Sequence, residues 1–142
     1  MCDTGDAAVV RVLRCESMLA LHHLAVVVSD LAAAERFYAG VLGLPVVQRW
    51  TDDRGVPRSL WVRLENGAFL AIERAEAASP KRSDEAPGLH CVAFRIRQDE
   101  REQRRLKLEQ AGFPVERVSP YTLYVRDPDG NLVAFSHHPD PA

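Results

Sequence analysis

The sequence predicts an α+β fold in which two tandem βαβββ modules form a partly open, cup-shaped mixed sheet around one cavity. Three observations carry this expectation. The second half of the chain repeats the first in order and in residue type, each half alternates apolar and polar residues with a period of two in its strands, and one helix stop falls in each half. Leu21-His22-His23-Leu24-Ala25-Val26-Val27-Val28 lies over Leu89-His90-Cys91-Val92-Ala93-Phe94-Arg95-Ile96. Leu60 to Arg63 lies over Leu123 to Arg126, and Ala68 to Glu73 over Asn131 to Ser136.

In the first half, the β-branched run from Leu21 reads as a buried strand. Ser29 and Asp30 then cap a helix to about Leu42, with Leu31, Ala34, Phe37, Tyr38 and Val41 as its apolar stripe and Gly43 as its stop. Strands are expected at Val46 to Trp50, Ser59 to Leu64 and Ala68 to Arg74, the last two joined through Glu65-Asn66-Gly67. The second half gives a strand from Leu89 to Ile96, a helix from about Asp99 to Ala111 and Gly112 as its stop. Strands follow near Pro114 to Val118, Thr122 to Arg126 and Asn131 to His137, with Asp127-Pro128-Asp129-Gly130 as the turn into the last. The resulting organisation is a tail or extra edge segment over 1–20, a first module over 21–74, a linker over 75–87, and a second module with a C-terminal tail over 88–142. Val9, Val10, Val12 and Leu13 are apolar enough to add a strand within the first segment.

Bulk properties narrow the function classes. A chain of 142 residues suits one domain or two half-size modules sharing a core. Its net charge of -2 and pI near 6.2 give no whole-domain footprint for nucleic acid. Neither a signal-peptide pattern nor a stretch of membrane-spanning length is evident. The three cysteines, Cys2, Cys15 and Cys91, form no close-spaced zinc motif and suit a reducing compartment, so a cytoplasmic location is expected.

Strand parity sorts the side chains by face. Leu24, Val26 and Val28, with Val92, Phe94 and Ile96, belong against the helices. His23, Cys91, Trp61, Arg63, Tyr124, Arg126, Phe69, Ala71, Glu73 and Ala134 belong on the opposite, cavity-facing side. Trp61, Tyr124 and Phe69 then read as aromatic walls, with Arg63 and Arg126 as anchors for an anionic or carbonyl-bearing ligand. Internal ion pairing among Glu73, Arg63 and Arg126 is the competing account of those charges. Trp50, Arg58 and Tyr121 are candidates for the mouth.

On His23-Leu24-Ala25-Val26-Val27-Val28-Ser29-Asp30-Leu31, Phe37-Tyr38, Val41-Leu42-Gly43-Leu44, Gly88-Leu89-His90 and Asp127-Pro128-Asp129-Gly130-Asn131, the sequence resembles the vicinal-oxygen-chelate superfamily. That superfamily includes glyoxalase I, bleomycin-resistance proteins and extradiol dioxygenases. The resemblance covers about Leu21 to His138 and implies paired βαβββ modules, usually in a homodimer. It also implies a divalent metal held by a His from each module's first strand and a carboxylate from each last strand. Only His23 is retained at those positions. The other three are Cys91, Ala71 and Ala134, and a methyl group donates no lone pair.

The leading expectation is therefore a small-molecule binding or sequestration protein, or a metal-independent enzyme, with no cofactor. The alternative is a metal-dependent lyase, isomerase or dioxygenase using a rearranged His23, Cys91 and Glu73 site, those three residues being also the catalytic candidates. His90, His137 and His138 are weaker ligand candidates. A module whose cavity has filled in is the third class. The expected partners are a small-molecule ligand and a second copy of the chain, with neither nucleic acid nor membrane.

Overall fold

A computed structural model describes residues 19–140. The expected tail or edge segment over 1–20 lies almost wholly outside the described residues, as does the strand suggested around Val9 to Leu13.

The first module runs β1 (His23–Val28), α1 (Leu31–Glu35), β2 (Val46–Thr51), β3 (Pro57–Arg63) and β4 (Phe69–Arg74). The second runs β5 (Val92–Arg95), α2 (Arg101–Gln110), β6 (Arg117–Val118), β7 (Thr122–Arg126) and β8 (Leu132–Ser136). Each module folds into a four-stranded mixed sheet, in the orders β1-β4-β3-β2 and β5-β8-β7-β6, and together they make the cup. The first and last strands of each module pair in parallel, and the remaining pairs are antiparallel. The repeat in the sequence is thus a repeat in topology.

Local chemistry explains the element ends. The Asp30 carboxylate accepts hydrogen bonds from the Ala32 and Ala33 amides at 2.8 and 3.0 Å, closing the N-terminus of α1. One continuous α-helix was expected to about Leu42, but after Glu35 the chain continues as a π-helix over Arg36–Val41. The wider turn leaves Phe37 and Tyr38 fully buried, and Gly43, at φ 76°, ends it. Strand β5 is shorter than the apolar run suggested, because Leu89 to Cys91 carry no ladder pairing. Likewise β6 keeps only Arg117 and Val118 of the expected Pro114 to Val118.

Facing follows the parity expected from sequence. Val26 and Val28 are buried whereas His23, Ala25 and Val27 are exposed, and Val92 is buried beside an exposed Ala93. A single core spans both modules: Phe37, Tyr38, Val62, Leu70 and Ile72 of the first join Val92, Leu108, Val125, Val133 and Phe135 of the second. Phe37 packs edge-on against Phe113 with ring centroids 4.7 Å apart. The Tyr38 hydroxyl donates to the buried Asp127 carboxylate at 2.9 Å, binding the first helix to the turn before β8. Among the described residues no helix is long and apolar enough to cross a membrane.

Candidate functional site

The register of the first sheet fixes three rows on its outer face. His23, Phe69 and Arg63 form one, Ala25, Ala71 and Trp61 the next, and Val27, Glu73 and Ser59 the third. Along the first two rows the rings make a continuous ladder. His23 stacks on Phe69 at 5.0 Å, Phe69 on Trp61 at 4.3 Å, and Trp61 leans on Trp50 at 5.6 Å between centroids. Such stacks expose flat π-surface on a stiff backbone, which suits a planar ligand. The ladder is open to solvent at its ends, with His23 exposed and Trp50 45% exposed.

Two polar groups on this face matter. The Trp61 indole N–H is buried with no hydrogen-bond partner among the described residues, a cost that an acceptor on a bound molecule would relieve. The Glu73 carboxylate accepts a 2.7 Å hydrogen bond from the Ser59 hydroxyl. Between them Ala71 is small and 4% exposed, so the face dips at its centre.

The second sheet carries a different set. Tyr124 lies beneath the Arg117 guanidinium, 4.0 Å from its ring centroid. Arg126 pairs with Asp84 at 2.8 Å and with Glu116 at 3.0 Å, and Thr122 donates to Ser136. Those hydrogen bonds, that to Asp84 first, raise the Arg126 pKa and hold the Asp84 carboxyl below its usual range. Arg126 is therefore ion-paired, but not with Glu73 or Arg63. Arg63 has no ion-pair partner among the described residues.

Strands β1 and β5 are both sheet edges, and residues of both line two clefts. The smaller, about 380 Å³, is lined by Ala25, Val27, Arg82, His90, Cys91 and Asn131, among others. The larger, about 870 Å³, includes Leu21, Leu24, Arg63, Phe94, Arg95 and Phe135. Neither includes Trp61, Phe69, Tyr124 or Arg126. Of the expected ligand set, the structure brings Trp61 and Phe69 into contact, while Tyr124 and Arg126 lie on the other sheet.

A glyoxalase/bleomycin resistance protein/dioxygenase superfamily model matches residues 20–135. The chain belongs to this superfamily. Solved structures agree with the assignment. The lactoylglutathione lyase from Agrobacterium tumefaciens is 26% identical with TM-score 0.63, covering 84% of this chain and 93% of that one. A glyoxalase/dioxygenase from Nostoc punctiforme is 21% identical with TM-score 0.71, covering 87% and 98%. The fosfomycin resistance protein FosX from Mesorhizobium loti is 19% identical with TM-score 0.67, covering 84% and 92%. No curated protein matches.

The divalent metal implied by this superfamily does not fit the donor set of this member. Ala71 pairs with Ala25 and Ala134 with Ala93, so methyl groups stand where carboxylates are needed. The rearranged trio is not assembled either. Glu73 lies four residues along β4 from Phe69, the partner of His23, which is about 13 Å of strand. Cys91, a free and half-buried thiol, lines the smaller cleft instead. Among the described residues no three His, Cys, Asp or Glu side chains are placed to share an ion.

His137 shows what parity alone misses. It is 1% exposed, its Nε2 lies 3.1 Å from Arg101 Nη1, and Arg101 in turn donates to the Ser119 and Pro120 carbonyls. Its position pins α2 to the loop before β7. No local sequence signal marks that role.

Proposed function

We propose that this superfamily member is a small-molecule binding protein whose ligand is planar and lies on the aromatic ladder of the first module. The observation that carries this reading is the ladder itself: stacked Phe69 and Trp61 beside a buried indole N–H that lacks an acceptor. The ligand offers a ring to the stack and an oxygen or ring nitrogen to Trp61 Nε1. Sequestration needs no more than this, and any turnover at the site proceeds without a bound metal, since Ala71 and Ala134 supply no ligand atoms. A homodimer completes the site in this reading, with the Tyr124 face of a second copy covering the exposed ladder; the exposure of Trp50 and Val27 supports it.

Trp50 and Trp61 are the chain's two tryptophans, so emission excited selectively from tryptophan reports on this face. Titration with naphthalene-2-carboxylate as a planar probe is expected to quench that emission saturably. Trp61→Leu and Phe69→Leu, each removing one face of the stack, are expected to weaken probe binding by about 1.4–2.8 kcal/mol, roughly tenfold to a hundredfold. Absence of saturable quenching, or unchanged affinity in Phe69→Leu, refutes the site. Metal analysis of untagged, metal-supplemented protein separates the alternative chemistry: stoichiometric metal lost on His23→Ala would establish a metal centre instead.

A further inference from the structure

Cations without counter-ions gather at the larger cleft. Three arginines line it, Arg63, Arg95 and Arg104, against one acid, Glu65. Among the described residues none of the three is in an ion pair, whereas Arg49, Arg74, Arg97, Arg105 and Arg126 all are. The cleft is therefore locally positive in a chain whose net charge is -2.

Arg104 has the most defined position of the three. It is half-buried on α2, its guanidinium standing 5.4 Å from the Phe135 ring centroid and donating to the Leu42 carbonyl at 3.4 Å, so it bridges the two modules at the cleft wall. A guanidinium carries five N–H donors, and this one makes a single long hydrogen bond among the described residues. The aromatic contact offsets part of the cost of burial but supplies no lone pair in the plane of the donors. A carboxylate accepts two parallel N–H bonds from such a group.

Most of the remaining wall is hydrocarbon. Leu24, Leu44, Leu64 and Phe94 pack on the core while staying only partly buried, and all four line the cleft. The buried side-chain atoms that lack a hydrogen-bond partner belong to Trp61, Asp129 and His137, none of which lines it. The apolar part of an occupant thus meets no buried side chain in want of a partner, and a plain hydrocarbon chain satisfies the wall. At about 870 Å³ the cleft falls within the ~300–1,000 Å³ range of small-molecule sites. The smaller cleft has the opposite character, with Ser29, His90, Asp129 and Asn131 in its lining.

We propose that the larger cleft binds an unbranched aliphatic carboxylate, its head on Arg104 and Arg95 and its chain along Leu24, Leu44 and Phe94. Arg63 adds to the attracting field. This site is separate from the aromatic ladder: neither Trp61 nor Phe69 lines the cleft, and Arg63, which pairs with Phe69 in the β3 to β4 register, is the one residue common to both.

Methyl and indole NMR of the full chain, titrated with octanoate, tests this. Methyl resonances of Leu24, Leu44 and Leu64 are expected to move saturably while the Trp61 indole resonance stays in place. Octan-1-ol and octylammonium, of equal chain length, are expected to bind at least about tenfold more weakly, the factor a charge-assisted hydrogen bond supplies. Arg95→Gln and Arg104→Gln are each expected to weaken octanoate binding about three- to tenfold, and Phe69→Leu to leave it unchanged. Arg95 is exposed, so its variant keeps the test decisive where Arg104→Gln disturbs the fold. Absence of a saturable methyl shift overturns the proposal, as do equal affinities for the three probes or unaltered affinity in Arg95→Gln. Shifts confined to the Trp61 indole would place the probe on the ladder, and methyl shifts produced by concentrating the protein alone would assign the cleft to a second copy. Either result overturns it too.

Discussion

Tyr38 is the residue on which the joining of the modules turns. Its hydroxyl is buried and donates to Asp127, whose carboxylate also accepts from the Asp129 and Asn131 amides and the Asn131 side chain. Burial, and then the neighbouring carboxylate, push the phenol far above its ordinary pKa, so it remains a donor throughout the accessible pH range. Tyr38→Phe keeps the packing and removes one hydrogen bond to a charged group, so a loss of about 1.5–3 kcal/mol is expected from the urea midpoint at unchanged m-value. A midpoint within error of the parent would show that the other three donors satisfy Asp127. Sequence reasoning placed Tyr38 in the helix stripe but gave no sign of this partner, because an interaction spanning 89 positions has no local signature. It did assign the faces of Trp61, Phe69, Val26 and Val62, since pleat parity is a local property of a strand. Which outward residues share a cleft is a property of how two sheets are set, which no strand's own alternation specifies.

At the scale of elements, the strands with strong β-branched alternation were located closely: β7 falls on the expected residues and β4 within one of them. The ends of β5 and β6 were misjudged because apolar run length says nothing about whether a partner strand extends equally far. The π-helical half of the first helix was also missed, its apolar stripe being compatible with either winding. The turns were legible because left-handed backbone demands glycine or asparagine. Gly67 and Gly130 sharpen this point, as both hold positive φ but only Gly130 meets the Arg82 backbone among the described residues. Gly130→Ala combines left-handed strain of about 1–2 kcal/mol with displacement of the linker. It should destabilise the chain and also raise hydrogen exchange at Arg82, whose amide bonds to the neighbouring Asp129 carbonyl. Destabilisation with Arg82 still protected would mean that the linker yields without leaving the turn.

For the whole molecule, ion pairs between distant segments set the response to acid. Arg49 holds the Glu35 carboxyl down, tying α1 to β2, and Arg126 does the same for Asp84, tying the linker to β7. Asp52 is lowered mainly by the Val56 amide, then by that of Arg54 and by Arg74 of β4. All three shifts are downward, so their contributions are fully present above the unfolded carboxylate range near pH 4 and fade as pH falls through the lower folded values. Each group is largely solvated, which keeps each contribution small, and added salt should shrink it further. Thermal unfolding is therefore expected to show a plateau above about pH 5 and a falling melting temperature below pH 4. Asp84→Asn should flatten part of that fall while lowering the plateau slightly, because the variant has already lost what acid removes from the parent. A parent and variant differing by the same amount at pH 3 and pH 7 would dissociate the Asp84 pair from the acid response, leaving the other carboxylates to account for it.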